Sequence, residues 1–190
     1  EQEVEKLTQA NRISMKTALS LKEKQAPLTA DKALEWSTRL AESELKRKTM
    51  SYHADGWDIN RRRKPKFEYD IVGMLPWSYH ILGQAINKPE YDKIMEHITG
   101  SFINDEGEIR RYVFDSFNID AVAPGRTVLS LYKLTKDPKY KKAADLLRKQ
   151  LEQHPRTSEG AFWHKKKYDS QLWLDGVYMG MPFLAEYSLL

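Results

Sequence analysis

The chain has 190 residues, 41% of them hydrophobic and 11% aromatic, which is enough for one globular domain over residues 1–190 and too much for a disordered chain. Its 31 basic and 27 acidic residues leave a net charge of +4, an excess too small to demand a polyanionic partner. The lack of cysteine excludes disulfides and thiolate metal sites, and no apolar run reaches the roughly 18 residues of a membrane span.

The first elements are a polar arm and one amphipathic helix. Apolar residues are sparse in residues 1–28, so we expect a peripheral N-terminal arm there. Thr29 then offers an N-cap for a helix that ends near Lys48. Its apolar positions recur at helical spacing and are Ala33, Trp36, Leu40 and Ala41.

Residues 49–66 predict a long loop that contains the basic run 61–64. Such a run is compatible with nucleic-acid binding, but it lacks interleaved aromatic residues on which bases stack. A solvated loop is therefore the favoured interpretation, and no nucleic-acid partner is expected.

Residues 67–86 are apolar on most faces, which is typical of a helix enclosed by its neighbours. Proline suits the first turn of a helix, so Pro76 predicts a helix start with residues 67–75 as an approach segment. A second helix begins at Tyr91, and we expect a short strand at residues 109–113. The apolar face predicted for that second helix is Tyr91, Ile94, Ile98 and Phe102.

An internal repeat organises the central part of the chain. Asn87-Lys88-Pro89-Glu90-Tyr91 aligns with Lys136-Asp137-Pro138-Lys139-Tyr140 at a period of 138 − 89 = 49 residues. Apolar helices precede both turns, and Ala143, Leu147 and Leu151 continue the second copy. Each unit is therefore predicted to be a helical hairpin of about fifty residues.

A third copy is expected to begin at Trp173 and to turn near Tyr187. Stacked hairpins of this kind predict an all-α fold, an α/α toroid or solenoid. On this interpretation the chain holds about the first half of a toroid, with the open edge covered by further sequence or by a partner chain.

The segment from Gln171 to Gly176 places a carboxylate among apolar residues. If residues 171–181 are helical, Gln171, Asp175 and Tyr178 share one face and form a site wall. The alternative is an acidic side chain that stabilises the positive end of a helix.

The preceding segment, residues 154–165, has no helical period and carries side chains suited to a sugar. Trp163 and Phe162 are able to stack on sugar faces, and Arg156 is able to hold hydroxyls or a carboxylate. The alternative is a loop pinned by the burial of its two aromatic residues.

Other chemistries lack support in the sequence. The histidines show no metal-ligand spacing, no glycine-rich phosphate loop is present, and Ser158 lacks the strand-turn-helix setting of an exposed nucleophile. No metal or cofactor is expected.

Three motifs in order resemble glycoside hydrolase family 105, the unsaturated rhamnogalacturonyl hydrolases, which are related to the unsaturated glucuronyl hydrolases of family 88. The motifs are Asn118-Ile119-Asp120 with Pro124-Gly125-Arg126, then residues 154–165, and Gln171-Leu172-Trp173-Leu174-Asp175-Gly176 with Tyr178-Met179 and Pro182-Phe183. The resemblance implies an (α/α)6 toroid of six helical hairpins.

The resemblance also implies the reaction. The substrate is an oligosaccharide that a polysaccharide lyase has left with a terminal 4,5-unsaturated uronic acid, most simply unsaturated galacturonyl-rhamnose from the pectin component rhamnogalacturonan. Asp175 protonates C4 of the enol ether while water adds at C5, so the carboxylate pair of ordinary glycosidases is not required. An enclosed site near Trp173 is expected to favour the protonated acid.

The remaining roles are carried over by position. Asp120 corresponds to the second carboxylate of the family, which orients the substrate or tunes the pKa of the catalytic acid. The alternative is that Asp120 is the N-cap of the helix near Pro124, and both roles are compatible. His164 and Trp173 are implied as sugar contacts, whereas Arg126 and Arg156 are interpreted as structural partners of loop carboxylates.

Three broader expectations concern function, partners and compartment. A non-catalytic helical scaffold or carbohydrate-binding module is the rival function. No membrane partner is expected, and the oligomeric state stays open. The compartment is cytoplasmic or periplasmic, with a preference for periplasmic because the sequence begins at Glu1 rather than methionine.

Overall fold

A computed structural model describes residues 28–46 and 66–190, and the architecture of these residues is all-α. The chain divides into two compact units, residues 1–38 and 39–190. The predicted arm and the basic run 61–64 lie outside the described residues, apart from position 28. The helices are α1 (Ala30–Lys46), α2 (Leu75–Ile86), α3 (Asp92–Ile98), α4 (Gly125–Thr135), α5 (Pro138–Gln153) and α6 (Leu174–Tyr187).

The strand expected at residues 109–113 is wrong. Ile109 makes one isolated antiparallel bridge to Ile103, and the chain turns directly after it. Extended pairing within the described residues is limited to this bridge and one between Arg156 and Phe162. None of the helices in residues 28–46 and 66–190 has the length and apolar character needed to cross a membrane.

Helix α1 begins where its cap predicts. The backbone N–H of Lys32 donates to the Thr29 hydroxyl at 3.2 Å. The expected apolar face is only partly buried, since Ala41 is enclosed whereas the Leu40 side chain is 75% exposed. Within the second unit, the Tyr79 hydroxyl donates to the carbonyl of Ala41 at 2.8 Å and ties the end of α1 to α2.

The predicted repeat is present in the backbone. Asn87 ends α2 and Lys136 ends α4, both in the left-handed conformation with φ of 55° and 59°. Their N–H groups donate to the carbonyls of Gly83 and Tyr132 respectively, so each closes the last helical turn in the same way. Hence α2–α3 and α4–α5 are hairpins, and α6 begins a third copy as predicted.

The second helix of each hairpin buries an apolar face. In α5 the Asp137 side chain accepts from the backbone N–H of Lys139 at 3.0 Å, and Pro138 occupies the first turn. The predicted residues Ala143, Leu147 and Leu151 are buried. In α3 it is Met95 rather than the expected Ile94 that is fully enclosed, because the short helix starts from a 3-10 turn that rotates its face.

The approach to α2 is a π-helical segment, Tyr69–Met74, and Pro76 lies in the first turn of α2 as predicted. The π-helical backbone is held by two buried hydroxyls. Thr99 donates to the carbonyl of Val72 at 2.6 Å, and Thr127 donates to that of Gly73 at 3.0 Å. Hydrogen bonds from two other hairpin elements therefore stabilise the wider turns of this segment.

Helix α6 packs against α4 through one close approach and one ion pair. The fully buried ring of Phe183 lies against Gly125 at the start of α4. Arg126 donates to the Glu186 carboxylate through two nitrogens at 2.7 Å, and its guanidinium lies 4.0 Å from the centroid of the Trp77 ring. These contacts fix the C-terminal half of α6 against α4, and the candidate site lies at the other end of the same helix.

Gly125→Ala is expected to destabilise the fold by about 1–3 kcal/mol, because a Cβ at this position overpacks a buried aromatic ring. That atom would lie 2.5 Å from Cδ2 of Phe183. The matched control is Gly180→Ala in α6, whose Cβ would lie 3.5 Å from Ile119, an ordinary contact. Urea unfolding measures both variants, and equal midpoints for the two would contradict this account of the α4–α6 contact.

Candidate functional site

The site is built around the first turn of α6. The helix begins at Leu174 with Trp173 as its N-cap, so Asp175 lies in the first turn. The side chain of Asp175 is 53% exposed, and the enclosure expected around it is not supplied by the described residues. Gln171 precedes the helix, so the prediction that it shares a helical face with Asp175 is wrong.

The helix-stabilising alternative for Asp175 agrees with this geometry, since a carboxylate in the first turn faces the positive end of the helix. The same position also brings Asp175 beside a histidine from the preceding loop. The two interpretations are therefore compatible.

Backbone hydrogen bonds bring the loop and the turn at residues 119–121 together. The N–H of His164 donates to the carbonyl of Gln171 at 2.7 Å, and the N–H of Ile119 donates to the carbonyl of His164 at 3.0 Å. Gly176 allows the close approach of the imidazole to α6, because a Cβ there would lie 3.0 Å from its Nδ1 atom. This explains why glycine follows the aspartate.

Asp120 lies in the 3-10 turn Ile119–Ala121 and its side chain is only 8% exposed. Its Oδ1 atom lies 3.2 Å from Nε2 of His164, and its Oδ2 atom accepts from the ammonium of Lys165. The alternative role as N-cap of the next helix is wrong, because the residue before α4 is Pro124 and no side chain caps it. Asp120 is instead a buried carboxylate whose charge is compensated by the Lys165 ammonium and which also faces the His164 ring.

His164 lies between the two carboxylates. Its side chain is 2% exposed, with Nε2 toward Asp120 and Nδ1 3.8 Å from Oδ1 of Asp175. Nδ1 is buried and has no hydrogen-bond partner among the described residues. Burial lowers the pKa of His164 below its ordinary value, and the charge of Lys165 lowers it further, while Asp120 and Asp175 oppose the shift. In the neutral ring, a hydrogen on Nε2, the nitrogen that faces Asp120, leaves an acceptor lone pair at Nδ1.

Two aromatic rings stack beside this histidine. The Trp173 ring lies 4.2 Å from His164 and 5.1 Å from Tyr168, with interplanar angles of 9° and 15°. The indole N–H of Trp173 donates to the side chain of Gln171 at 3.0 Å. One indole face of Trp173 is therefore covered by protein, and Gln171 serves to orient the ring.

The other predicted site residues lie apart from the carboxylates. Arg156 donates to the carbonyl of Gly160 at 2.6 Å and lies 4.0 Å from the Phe162 ring, rather than pairing with a loop carboxylate. Arg126 does bind a carboxylate, although Glu186 belongs to α6 and not to a loop. Trp163 is held through its backbone N–H by the carbonyl of Pro155 at 2.9 Å.

Two cavities are lined by neighbours of the two carboxylates. One of about 360 Å³ is lined by Arg156, Phe162, Leu172 and Gly176, among others. The other, of about 740 Å³, is lined by Lys165, the partner of Asp120, and has one acidic residue, Glu68, among its described lining. The basic residues in that lining are Lys66, Arg111, Lys165, Lys166 and Lys167.

Sequence reasoning assigned no role to Lys165 or Tyr168. Lys165 is the first of three consecutive lysines, which look like a solvated charge run until the fold places one of them on a buried aspartate. Its position directly after the implied site histidine is the signal that would have singled it out.

Lys165→Met is expected to raise the pKa of His164. The ammonium of Lys165 disfavours the imidazolium, and its removal leaves the Asp120 charge to favour the protonated ring. The titration midpoint measured by NMR of the imidazole should therefore move to higher pH. Lys167→Met is the matched control, because that lysine lies over the Tyr168 ring at 4.7 Å rather than on Asp120. A midpoint that is unchanged or lower in Lys165→Met would contradict this electrostatic account.

The chain is therefore built of helical hairpins, and the segments before α4 and α6 bring Asp120 and Asp175 to opposite sides of His164. The model of Glycosyl Hydrolase Family 88 matches residues 37–190, and the chain belongs to this family. Its fold is the all-α toroid fold of that group.

A solved glycoside hydrolase from family 105, from C. acetobutylicum ATCC 824, has a similar structure with a TM-score of 0.61 and 34% sequence identity. The match covers 73% of this chain and 38% of that chain. The chain thus spans well under half the length of this relative.

Proposed function

We propose that the protein is a hydrolase that removes a terminal 4,5-unsaturated uronic acid from oligosaccharides produced by polysaccharide lyases. The observation that carries the proposal is the chain of contacts from Asp120 through His164 to Asp175, located at the start of α6 in a member of family 88. The basic lining of the cavity that includes Lys165 supports an anionic substrate.

The proposed reaction is hydration of an enol ether. Asp175 donates its proton to C4, water supplies a hydroxyl to C5, and the remaining water proton passes to a carboxylate. The hemiketal at C5 opens to a ketone, and C1 is left as a hemiacetal that releases the saccharide. One acid of adequate proton affinity is sufficient for this sequence of steps.

His164 supports the acid in this proposal. A neutral imidazole whose hydrogen is on Nε2, 3.2 Å from Asp120, presents its Nδ1 lone pair toward Asp175. That lone pair faces Oδ1 of Asp175 across 3.8 Å, which is beyond hydrogen-bond distance, so the carboxyl proton stays available for C4. Asp120 and Lys165 thus act through the histidine and not on the substrate double bond.

For the substrate we propose unsaturated galacturonyl-rhamnose from rhamnogalacturonan. The match to family 88 favours a second candidate, an unsaturated glucuronyl disaccharide. The leaving sugar distinguishes these candidates, whereas the reacting enol ether is common to both.

The test uses the near-ultraviolet absorbance of the conjugated double bond. The protein should bleach this absorbance on one or both unsaturated disaccharides, and it should leave the saturated analogues unchanged. Binding of the disaccharides without bleaching would contradict hydrolysis and favour the carbohydrate-binding scaffold.

A further inference from the structure

The C-terminal end of α5 carries two buried polar side chains, Gln150 and His154, which contact both loops of the candidate site. Gln150 is fully buried and His154 is 3% exposed. We propose that these two are positioning residues that set the placement of Asp120 relative to His164. The catalytic consequence rests on the proposed function, whereas the positioning itself does not.

Gln150 uses every hydrogen-bonding group of its side chain. Its oxygen accepts from the Tyr112 hydroxyl at 2.5 Å, and its nitrogen donates to the carbonyl of Asn118 at 3.2 Å. The second hydrogen of the amide points to Nδ1 of His154, with the two nitrogens 3.4 Å apart. The carbonyl of Asn118 lies two residues before Asp120, so Gln150 holds the entry of that turn.

His154 holds the other loop by a defined tautomer. Its Nε2 atom lies 2.8 Å from the carbonyl oxygen of Trp163, which is only able to accept, so Nε2 carries the hydrogen. Nδ1 is then free to accept from Gln150. Burial lowers the pKa of His154, followed by smaller lowering from Arg156 and His164, while the Trp163 carbonyl opposes the shift. The neutral ring is the form that satisfies both contacts.

The His154 ring also lies between aromatic residues of the two loops. It makes edge contacts with Phe117 at 5.6 Å and Phe162 at 5.5 Å. Phe117 has a φ of 39°, a left-handed conformation that is unfavourable for a bulky residue and persists only where its surroundings hold it. Phe117 precedes Asn118, and Phe162 precedes Trp163, so each loop is fixed at two consecutive residues.

The two loops must be held firmly, because a small displacement of either loop breaks the contact between Asp120 and His164. The Asp120–His164 contact of 3.2 Å depends on two loops that are far apart in sequence. A displacement of about 1 Å between catalytic groups reduces turnover by up to roughly 100-fold. Residues of α5 that never touch the substrate are therefore expected to affect the rate.

The kinetic test compares three variants. His154→Phe keeps a ring but removes both nitrogens, and Gln150→Met keeps the length but removes the amide. For both, kcat should fall by roughly 10- to 100-fold with a smaller change in KM, since the displaced groups act on the chemical step. His154→Gln places an amide nitrogen near the position of Nε2 and should recover most of the turnover.

The matched control is Thr99→Val. It removes another fully buried hydrogen bond to a carbonyl, from Thr99 to Val72, that contacts neither site loop. It should lower stability and leave kcat unchanged. An equal loss of kcat in Thr99→Val and His154→Phe, or wild-type kcat in His154→Phe, would overturn the proposal.

A second measurement does not depend on activity. Nitrogen-15 NMR of the wild-type imidazoles should show His154 as the neutral tautomer protonated at Nε2, and the His164 signals should move in His154→Phe or Gln150→Met but not in Thr99→Val. A His154 protonated at Nδ1, or unmoved His164 signals, would overturn the positioning role. Failure of the protein to bleach unsaturated disaccharides, with these NMR results obtained, would instead refute the proposed function alone.

Discussion

Asp175→Asn is expected to reduce the bleaching rate on unsaturated disaccharides by roughly 100- to 10,000-fold, the range in which a general acid contributes. Asparagine keeps the size of the side chain but has no proton to deliver to C4. Stability should change little, because half of the Asp175 side chain is exposed and the neutral His164 ring lies 3.8 Å away, beyond hydrogen-bond distance. The measurement is the loss of near-ultraviolet absorbance under saturating substrate.

Asp169→Asn is the matched control for this variant. Asp169 is also an exposed aspartate of the loop before α6, and it accepts a hydrogen bond from Ser170 at 3.0 Å. Its replacement should leave the rate near that of the wild type. Substantial activity in Asp175→Asn would remove the acid role from Asp175 and with it the mechanism proposed above.

Asp120→Ala is expected to lower both stability and turnover. The change leaves the buried Nε2 of His164 without the carboxylate that lies 3.2 Å from it and leaves the Lys165 ammonium without its counter-ion. Loss of charged, largely buried partners of this kind costs about 2–4 kcal/mol of unfolding free energy. Turnover should fall by roughly 100-fold, because His164 is no longer fixed beside Asp175.

Urea unfolding and the absorbance assay measure the two effects separately. Asp115→Ala provides the control, since Asp115 is an exposed aspartate five positions earlier in the same loop and should tolerate the change in both assays. An Asp120→Ala protein with wild-type stability would show that the His164–Asp120–Lys165 cluster contributes nothing to folding.

The hairpins were predictable from sequence because their determinants are local. Pro89 and Pro138 start helices after equivalent turns, and the buried apolar residues of α5 recur at helical spacing. The all-α fold and the start of α6 near Trp173 are confirmed for this reason. The strand at residues 109–113 was wrong because a run of alternating residues forms a strand only when a partner strand is available.

The candidate site was less predictable. The resemblance brought Asp120, His164 and Asp175 together, and the structure places them within contact distance, while their catalytic roles stay predictions. Sugar stacking was expected of Trp173, yet one face of its ring lies against His164. Neighbours from other parts of the chain decide such contacts, and spacing along a helix does not reveal them.

The sequence by itself determined the repeat of helical hairpins and the family, because periodicity, helix caps and motif order are properties of the chain. Only the tertiary structure decided which charges meet. It places the Lys165 ammonium on Asp120, whereas a helix N-terminus was the alternative partner, and it turns Nδ1 of His164 toward Asp175. It also brings Gln150 to the carbonyl of Asn118 and His154 to the carbonyl of Trp163. The physical reason is that the energies of buried polar groups depend on their partners in space, and those partners here come from elements separated by tens of residues.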